Sequence, residues 1–278
     1  MQLRFSIAGH QVHRLGFGAM RVMGARGSDG RPSREAAVAL VRRAVELGVS
    51  FIDTADIYGD GASESIIAEA LYPYPAGMLI ATKGGFVPGV LPPGQRALPA
   101  DCRPERLRQV CEASLRRLRV ERIDLYQLHT PDVAVPFEDS VGALVELRDE
   151  GKIGHIGLSN IGRKHLIAAM ELTAVASVQN RYNHNDRSSE KVLELCEANG
   201  IAFLPWGPIQ TGDDDALDAV AAELGTTREQ TALAWLLHRS PSMLPIPGTS
   251  SVDHLAQNMA AAAIELSDAQ VRRLSDTT

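Results

Sequence analysis

Along most of this chain, short apolar runs alternate with longer segments whose apolar residues recur every three or four positions. Near the start, Leu3, Phe5 and Ile7 alternate with polar residues, and Ala8-Gly9 turns the chain toward Val12, which predicts a hairpin. A first short inner strand is expected over 15–19. Pro32 and Ser33 then open a helix with Ala37, Leu40, Val41, Ala44 and Val45 on one face and Gly48 near its end. From there the two patterns alternate. Strands are predicted near 49–53, 78–82, 123–128, 153–157, 175–179, 201–205 and 243–246. Helices are predicted near 63–71, 104–118, 138–150, 162–172, 188–198, 214–224 and 251–262. A further helix at 227–238 precedes the last strand, and a short one at 267–275 ends the chain. Such alternation implies a parallel sheet. Eight units without a composition break predict an α/β fold, a single (β/α)8 TIM barrel spanning 1–278 as one domain, its base closed by the N-terminal β-hairpin. A doubly wound open sheet is the less favoured alternative. The Gly/Pro-rich stretch from Gly84 to Pro104 is too long for a plain connection, and such loops are often functional.

Composition narrows the function classes. The 278 residues carry a net charge of −6, which argues against nucleic acid or an anionic membrane as partner. The basic cluster from Arg116 to Arg122 reads as a solvated helix end. The N-terminus lacks the apolar core of a signal peptide, and no apolar run approaches the ~18 residues of a membrane span. Cys102, Cys111 and Cys196 lack metal-ligand spacing, so no metal and no disulfide framework is expected. A cytoplasmic enzyme acting on a small molecule, monomeric or weakly homo-oligomeric, is the expectation.

The candidate chemistry lies at the strand ends. The strand through Phe51-Ile52 ends on Asp53, the next on Lys83 and a third on His129, with Tyr58 five residues beyond Asp53. Barrel active sites sit at the C-terminal ends of the strands, and neighbouring strands lie ~4.8 Å apart, so these groups can surround one point. A tyrosine has a reference pKa of about 10. A neighbouring ammonium favours the phenolate and lowers that pKa, and Asp53 would keep a buried Lys83 charged. A histidine beside the phenol can orient a carbonyl oxygen. Together they describe a general acid with an oxyanion-stabilising neighbour, which needs a hydride donor from outside the protein. The turn Pro247-Gly248-Thr249-Ser250-Ser251 before a helix offers backbone N–H groups and hydroxyls to a phosphate. Trp206 can stack on a flat ring, and Ser159-Asn160 and Gln179-Asn180 end two further strands. Gly16-x-Gly18 lacks the third glycine of a Rossmann site. Taken singly, each residue also has an ordinary structural reading: a satisfied core histidine, a snorkelling lysine, a helix cap.

On these residues the chain resembles the aldo-keto reductases over nearly its whole length. The motif Phe51-Ile52-Asp53-Thr54-Ala55 through Tyr58-Gly59 carries the resemblance. So do Ala81-Thr82-Lys83, Ile123 to His129, Gly151-Lys152-Ile153, Ile156 to Asn160, Val178-Gln179-Asn180 and Ile246 to Ser251. The resemblance implies a (β/α)8 barrel that reduces aldehydes or ketones to alcohols with NADPH. Tyr58 would be the general acid, Lys83 and Asp53 its tuning pair, and His129 the carbonyl-orienting residue. Ser159, Asn160 and Gln179 match carboxamide-binding positions, and Trp206 the nicotinamide-stacking aromatic. Further implied cofactor contacts are Gly18, Ala19, Met20 and Asp53, then Gly207, Pro208, Gln210 and Gly212 in the loop after Trp206. Pro247, Gly248, Thr249 and Ser250, with His254, Gln257 and Asn258 in the helix that follows, complete them.

Three departures matter. Gly248 and His254 stand where members often carry lysine and arginine around the adenosine 2′-phosphate, which weakens the case for strict NADP over NAD; NADPH is still favoured and NADH not excluded. The loop after Trp206 is short. The chain ends soon after Leu274, so the substrate pocket is expected to be open, shaped by Met20, Ile57, Phe86 and the loop 84–102. Two other readings remain: a cofactor-binding regulatory or redox-sensing barrel with slow turnover, and a Schiff-base aldolase acting through Lys83.

Overall fold

In the computed structural model, which describes residues 3–89 and 98–276, strands β1 (Arg4–Ile7) and β2 (His10–His13) form the expected hairpin, Ile7 opposite His10. Seven parallel strands follow in sequence order. They are β3 (Phe17–Gly18), β4 (Phe51–Asp53), β5 (Leu79–Gly84), β6 (Ile123–Leu128), β7 (Ile153–Ser159), β8 (Val175–Arg181) and β9 (Ala202–Trp206). Between and after them run α1 (Arg34–Glu46), α2 (Ala62–Leu71), α3 (Pro104–Leu118), α4 (Phe137–Asp149), α5 (Arg163–Leu172), α6 (Glu190–Asn199) and α7 (Asp215–Leu224). The remaining helices are α8 (Arg228–Arg239), α9 (Val252–Ala260) and α10 (Asp268–Ser275). The expected helix starts carry side-chain caps: Ser33 accepts from Ala36 N–H, Asp214 from Leu217 N–H and Ser251 from His254 N–H. Among the described residues, no helix is long and apolar enough to cross a membrane.

The period of two along the strands sorts side chains into two layers. Phe51, Leu79, Ala81, Leu125, Leu204 and Ile246 fill the barrel interior and pack on Ile7 and Val12, so the hairpin plugs the base. Ile52, Ile80, Tyr126, Leu128, Val178 and Phe203 face outward into the helix layer.

The seam differs from expectation. No regular strand forms at 243–246, and the first inner strand is only two residues long, followed by a 3-10 helix, Ala19–Gly24. The barrel still closes. Phe203 N–H donates to Ser242 O and Leu244 N–H to Phe203 O, both at 2.8 Å, while Gly16 N–H donates to Pro245 O at 2.9 Å and Gly18 N–H to Pro247 O at 3.3 Å. Pro245 and Pro247 have no N–H, so half the rungs of an ordinary ladder cannot form. The buried Arg14 braces this seam, donating to the carbonyls of Leu237, Ser240 and Met243.

Candidate active site

β4 and β5 end side by side, and the register sets Lys83 opposite Gln127 of β6. Lys83 Nζ donates to Asp53 Oδ2 at 2.7 Å, to Thr54 O at 2.7 Å and to the Tyr58 hydroxyl at 3.4 Å. Lys83 is fully buried and Asp53 2% exposed. An unpaired charge at such a depth would be prohibitive, and here both are paired. The other carboxylate oxygen of Asp53 accepts from Gln127 Nε2 at 3.1 Å and from Gln179 Nε2 at 2.7 Å. Gln127 fits because β7 carries Gly157 beside it: a Cβ there would meet Ser177 Oγ at 2.3 Å and Gln127 Cγ at 2.7 Å. Gln127 was not among the sequence candidates, although the alternation that turns His129 inward turns it inward as well.

Burial, the largest single effect, pushes Lys83 down, but the Asp53 carboxylate and the Tyr58 hydroxyl together outweigh it and raise the ammonium above the usual lysine range. For Tyr58 the expectation of a lowered pKa is not met. Burial pushes the phenol up by more than the Lys83 ammonium draws it down, so the group stays a protonated donor. Burial, joined by the Lys83 charge, holds His129 well below its ordinary range, so its imidazole is neutral. The Tyr58 and His129 rings meet edge to face at 6.0 Å, and Phe86 packs on His129 at 4.6 Å.

Above these groups opens a cavity of about 670 Å³, within the range of small-molecule and cofactor sites. Tyr58, His129 and Asp53 reach its wall; Lys83 lies beneath them, outside the lining. Met20, Ile57 and Phe86 line it as expected, together with Leu98 from the long loop. The remainder of that loop at 90–97 lies outside the described residues. Of the expected cofactor contacts, Gly18, Met20, Asp53, Ser159, Asn160, Gln179, Trp206, Gly207, Pro208, Gln210 and Gly248 line the cavity. The others stand apart from that wall. Ala19 is buried and its carbonyl accepts from Ser63 Oγ; Gly212 O accepts from Arg228. Pro247 belongs to the seam. Thr249, Ser250 and His254 surround the start of α9, with Thr249 Oγ1 accepting from Ser251 N–H, and Gln257 and Asn258 lie near its end. Arg21, Thr130, Ile209 and Glu229 line the cavity without having been expected there. Thr130 and Ile209 lie in loops, Arg21 in the 3-10 helix and Glu229 in the first turn of α8, where no periodicity announces direction.

The residues present fit a nicotinamide dinucleotide. Ser159, Asn160 and Gln179 gather amide and hydroxyl groups beside the half-buried indole of Trp206, which donates to Asn160 Oδ1 at 3.0 Å and lies under the Arg181 guanidinium at 5.4 Å. Gly18 and Gly248 let two backbones touch: a Cβ on Gly248 would stand 2.9 Å from Gly18 O, one on Gly18 2.6 Å from Ile246 O. The buried Asn258 Nδ2 has no hydrogen-bond partner among the described residues, and such donors are normally matched. No group of His, Cys, Asp and Glu among the described residues is placed to hold a metal ion.

The model of the Aldo/keto reductase family matches residues 14–277. An uncharacterized oxidoreductase of Schizosaccharomyces pombe is 46% identical over 273 residues, covering 95% of this chain and 86% of that protein. The pyridoxine 4-dehydrogenase of Escherichia coli is 39% identical over 274 residues, covering 95% and 94%. Among solved structures, an aldo/keto reductase from Klebsiella pneumoniae in complex with NADP and acetate superposes with a TM-score of 0.79 at 27% identity, over 99% of this chain and 94% of that one.

Proposed function

Because the chain belongs to the aldo/keto reductase family, we propose that it reduces the carbonyl of a small aldehyde or ketone to an alcohol, with NADPH as the favoured hydride donor. The observation that carries this reading is the hydrogen-bonded chain from Asp53 through Lys83 to the Tyr58 hydroxyl, with the neutral His129 beside it at the floor of the cavity. When bound, the dinucleotide would supply the hydride. Tyr58 donates the proton to the carbonyl oxygen, and the Lys83 ammonium stabilises the negative charge left on the phenol. His129, neutral, orients the same oxygen as a hydrogen-bond donor. Asp53 holds Lys83 charged, and Gln127 and Gln179 hold Asp53. Ser159 and Asn160 would position the carboxamide, and Trp206 would cover the nicotinamide ring.

The geometry supports this reading over Schiff-base chemistry at Lys83. That ammonium donates to Asp53, Thr54 and Tyr58 and has a raised pKa, so it has no free lone pair with which to attack a carbonyl. The walls formed by Met20, Ile57, Phe86 and Leu98 suit an apolar or aromatic aldehyde. The test is a fluorescence titration with NADPH and NADH, followed by turnover on an aldehyde panel. Pyridoxal belongs in that panel because the Escherichia coli relative is a pyridoxine 4-dehydrogenase. Tight NADPH binding with aldehyde-dependent oxidation is expected; binding of neither nucleotide would end this reading.

A further inference from the structure

The start of α9 is the natural seat for a phosphate in this barrel, yet it holds no cation. From Pro247 to Ala263 the chain contains no lysine or arginine. The helix terminus and the hydroxyls of Thr249, Ser250 and Ser251 offer partial charges and hydrogen bonds, whereas phosphates are held most firmly by a guanidinium or an ammonium.

Arg21 is the cation on the cavity wall among the described residues. It is exposed and makes no ion pair or hydrogen bond with Glu229 of the same wall or with any other group among the described residues. Its place in the fold aims it at the α9 turn. In the 3-10 helix Ala19–Gly24, side chains three residues apart eclipse, so Arg21 stands over Gly24. A Cβ on Gly24 would lie 3.4 Å from Ser250 Cβ and 3.6 Å from Ser250 Oγ. The face of the helix that carries Arg21 is therefore the face packed on the turn. The arrangement leaves a free guanidinium beside a cation-poor phosphate seat, where Gly248 offers no side chain and His254 no fixed charge.

We propose that Arg21 is the residue that anchors a phosphate of the nicotinamide dinucleotide in this chain, supplied from the first βα turn instead of from α9. This rests on the reading of the cavity as a dinucleotide site. Arg21 lines the cavity from the 3-10 helix whose Gly24 packs on Ser250, and its planar fork takes two phosphate oxygens at once. The ligand group is either the diphosphate, common to both nucleotides, or the 2′-phosphate of NADPH.

Titration of wild type, Arg21→Gln and Arg21→Lys with NADPH and with NADH tests the assignment by binding alone. Arg21→Gln is expected to weaken NADPH by roughly 10- to 100-fold, the scale of a lost charge-assisted hydrogen bond, with Arg21→Lys in between. An equal loss for both nucleotides identifies the diphosphate, and a loss confined to NADPH identifies the 2′-phosphate. Because Arg21 is exposed and unpartnered, thermal melting should match wild type and exclude a folding defect. If wild type binds and Arg21→Gln binds both nucleotides equally well, the assignment to Arg21 is overturned and the dinucleotide site stands. If wild type binds neither nucleotide, the cofactor reading and this assignment fall together.

Discussion

Trp206 and Asn160 are joined side chain to side chain, the indole Nε1–H donating to the amide oxygen at 3.0 Å. The same amide donates through Nδ2 to His129 O at 2.9 Å and to Ser159 Oγ at 3.2 Å, and its backbone holds a φ of 55°. Asn160 therefore ties the indole to the strand end that carries the histidine. Its oxygen is an acceptor a nicotinamide carboxamide could use, and the indole already takes one of its two lone pairs.

From this bond a two-step association follows. If the indole gives up Asn160 to the carboxamide, the observed NADPH association rate should saturate with concentration in wild type. In Trp206→Phe, which has no indole N–H, it should rise linearly. Stopped-flow NADPH fluorescence measures both, and a linear wild-type dependence refutes the exchange.

Tyr58→Phe removes the proton donor and leaves the ring. A loss in kcat of about 10²- to 10⁴-fold is expected, the usual scale for a general acid, with NADPH affinity unchanged. Steady-state kinetics and a binding titration separate the two. Equal losses in both would mean that Tyr58 serves structure instead of proton transfer.

Asp53→Asn leaves the buried Lys83 ammonium facing only Thr54 O and the Tyr58 hydroxyl. Breaking a buried pair from one side costs about 3–5 kcal/mol, which should appear as a lowered urea midpoint. The double variant Asp53→Asn, Lys83→Met should lose less than the sum of the single losses, because no orphan charge remains. Strict additivity would show that the two side chains are not energetically coupled.

Asp56 lies two residues before Tyr58, buried, its Oδ1 without a hydrogen-bond partner among the described residues. Burial, and then the nearby Glu64 carboxylate, push its pKa up to about 7 from 3.8. The folded state therefore favours the protonated acid. The unfolded chain gives up this proton near pH 4, so the folded state is penalised increasingly from pH 4 to about pH 7 and fully above it. At 1.36 kcal/mol per pKa unit, the penalty is at most about 4 kcal/mol. Asp56→Asn should thus be more stable than wild type above pH 7, the gain shrinking toward zero near pH 4. Urea midpoints across that range check the sign, and a constant difference would contradict it.

Much of this architecture is written in the apolar periodicity. The order of strands and helices, the hairpin plug and the meeting of Asp53, Lys83, Tyr58 and His129 all follow from short β-runs alternating with amphipathic helices. What escaped the sequence has identifiable physical causes. The last strand is apolar and flanked by turns, but Pro245 and Pro247 deprive it of the donors a ladder needs. Gln127 sits in an inward register that was legible, hidden between the more conspicuous Leu125 and His129. Gln179 lines the cavity and also donates to Asp53, a partnership across strands that no local spacing encodes. Arg21 lies in a short 3-10 helix and Glu229 in the first turn of α8, segments too short for periodicity to say which way a side chain points. The net shift of Tyr58 depended on how much burial opposes the ammonium, a balance set by packing and not by the order of residues.

The proline-broken seam gives this molecule a built-in gauge. Gly16 and Gly18 each hold the wall shut there through one amide, to Pro245 O and Pro247 O, and Gly18 and Gly248 sit on the rim of the cavity itself. Those two protons exchange with deuterated solvent only when the wall breathes at the place where a nucleotide would enter. Their exchange rates therefore record occupancy directly, in the resting protein, with no substrate present and no catalysis required.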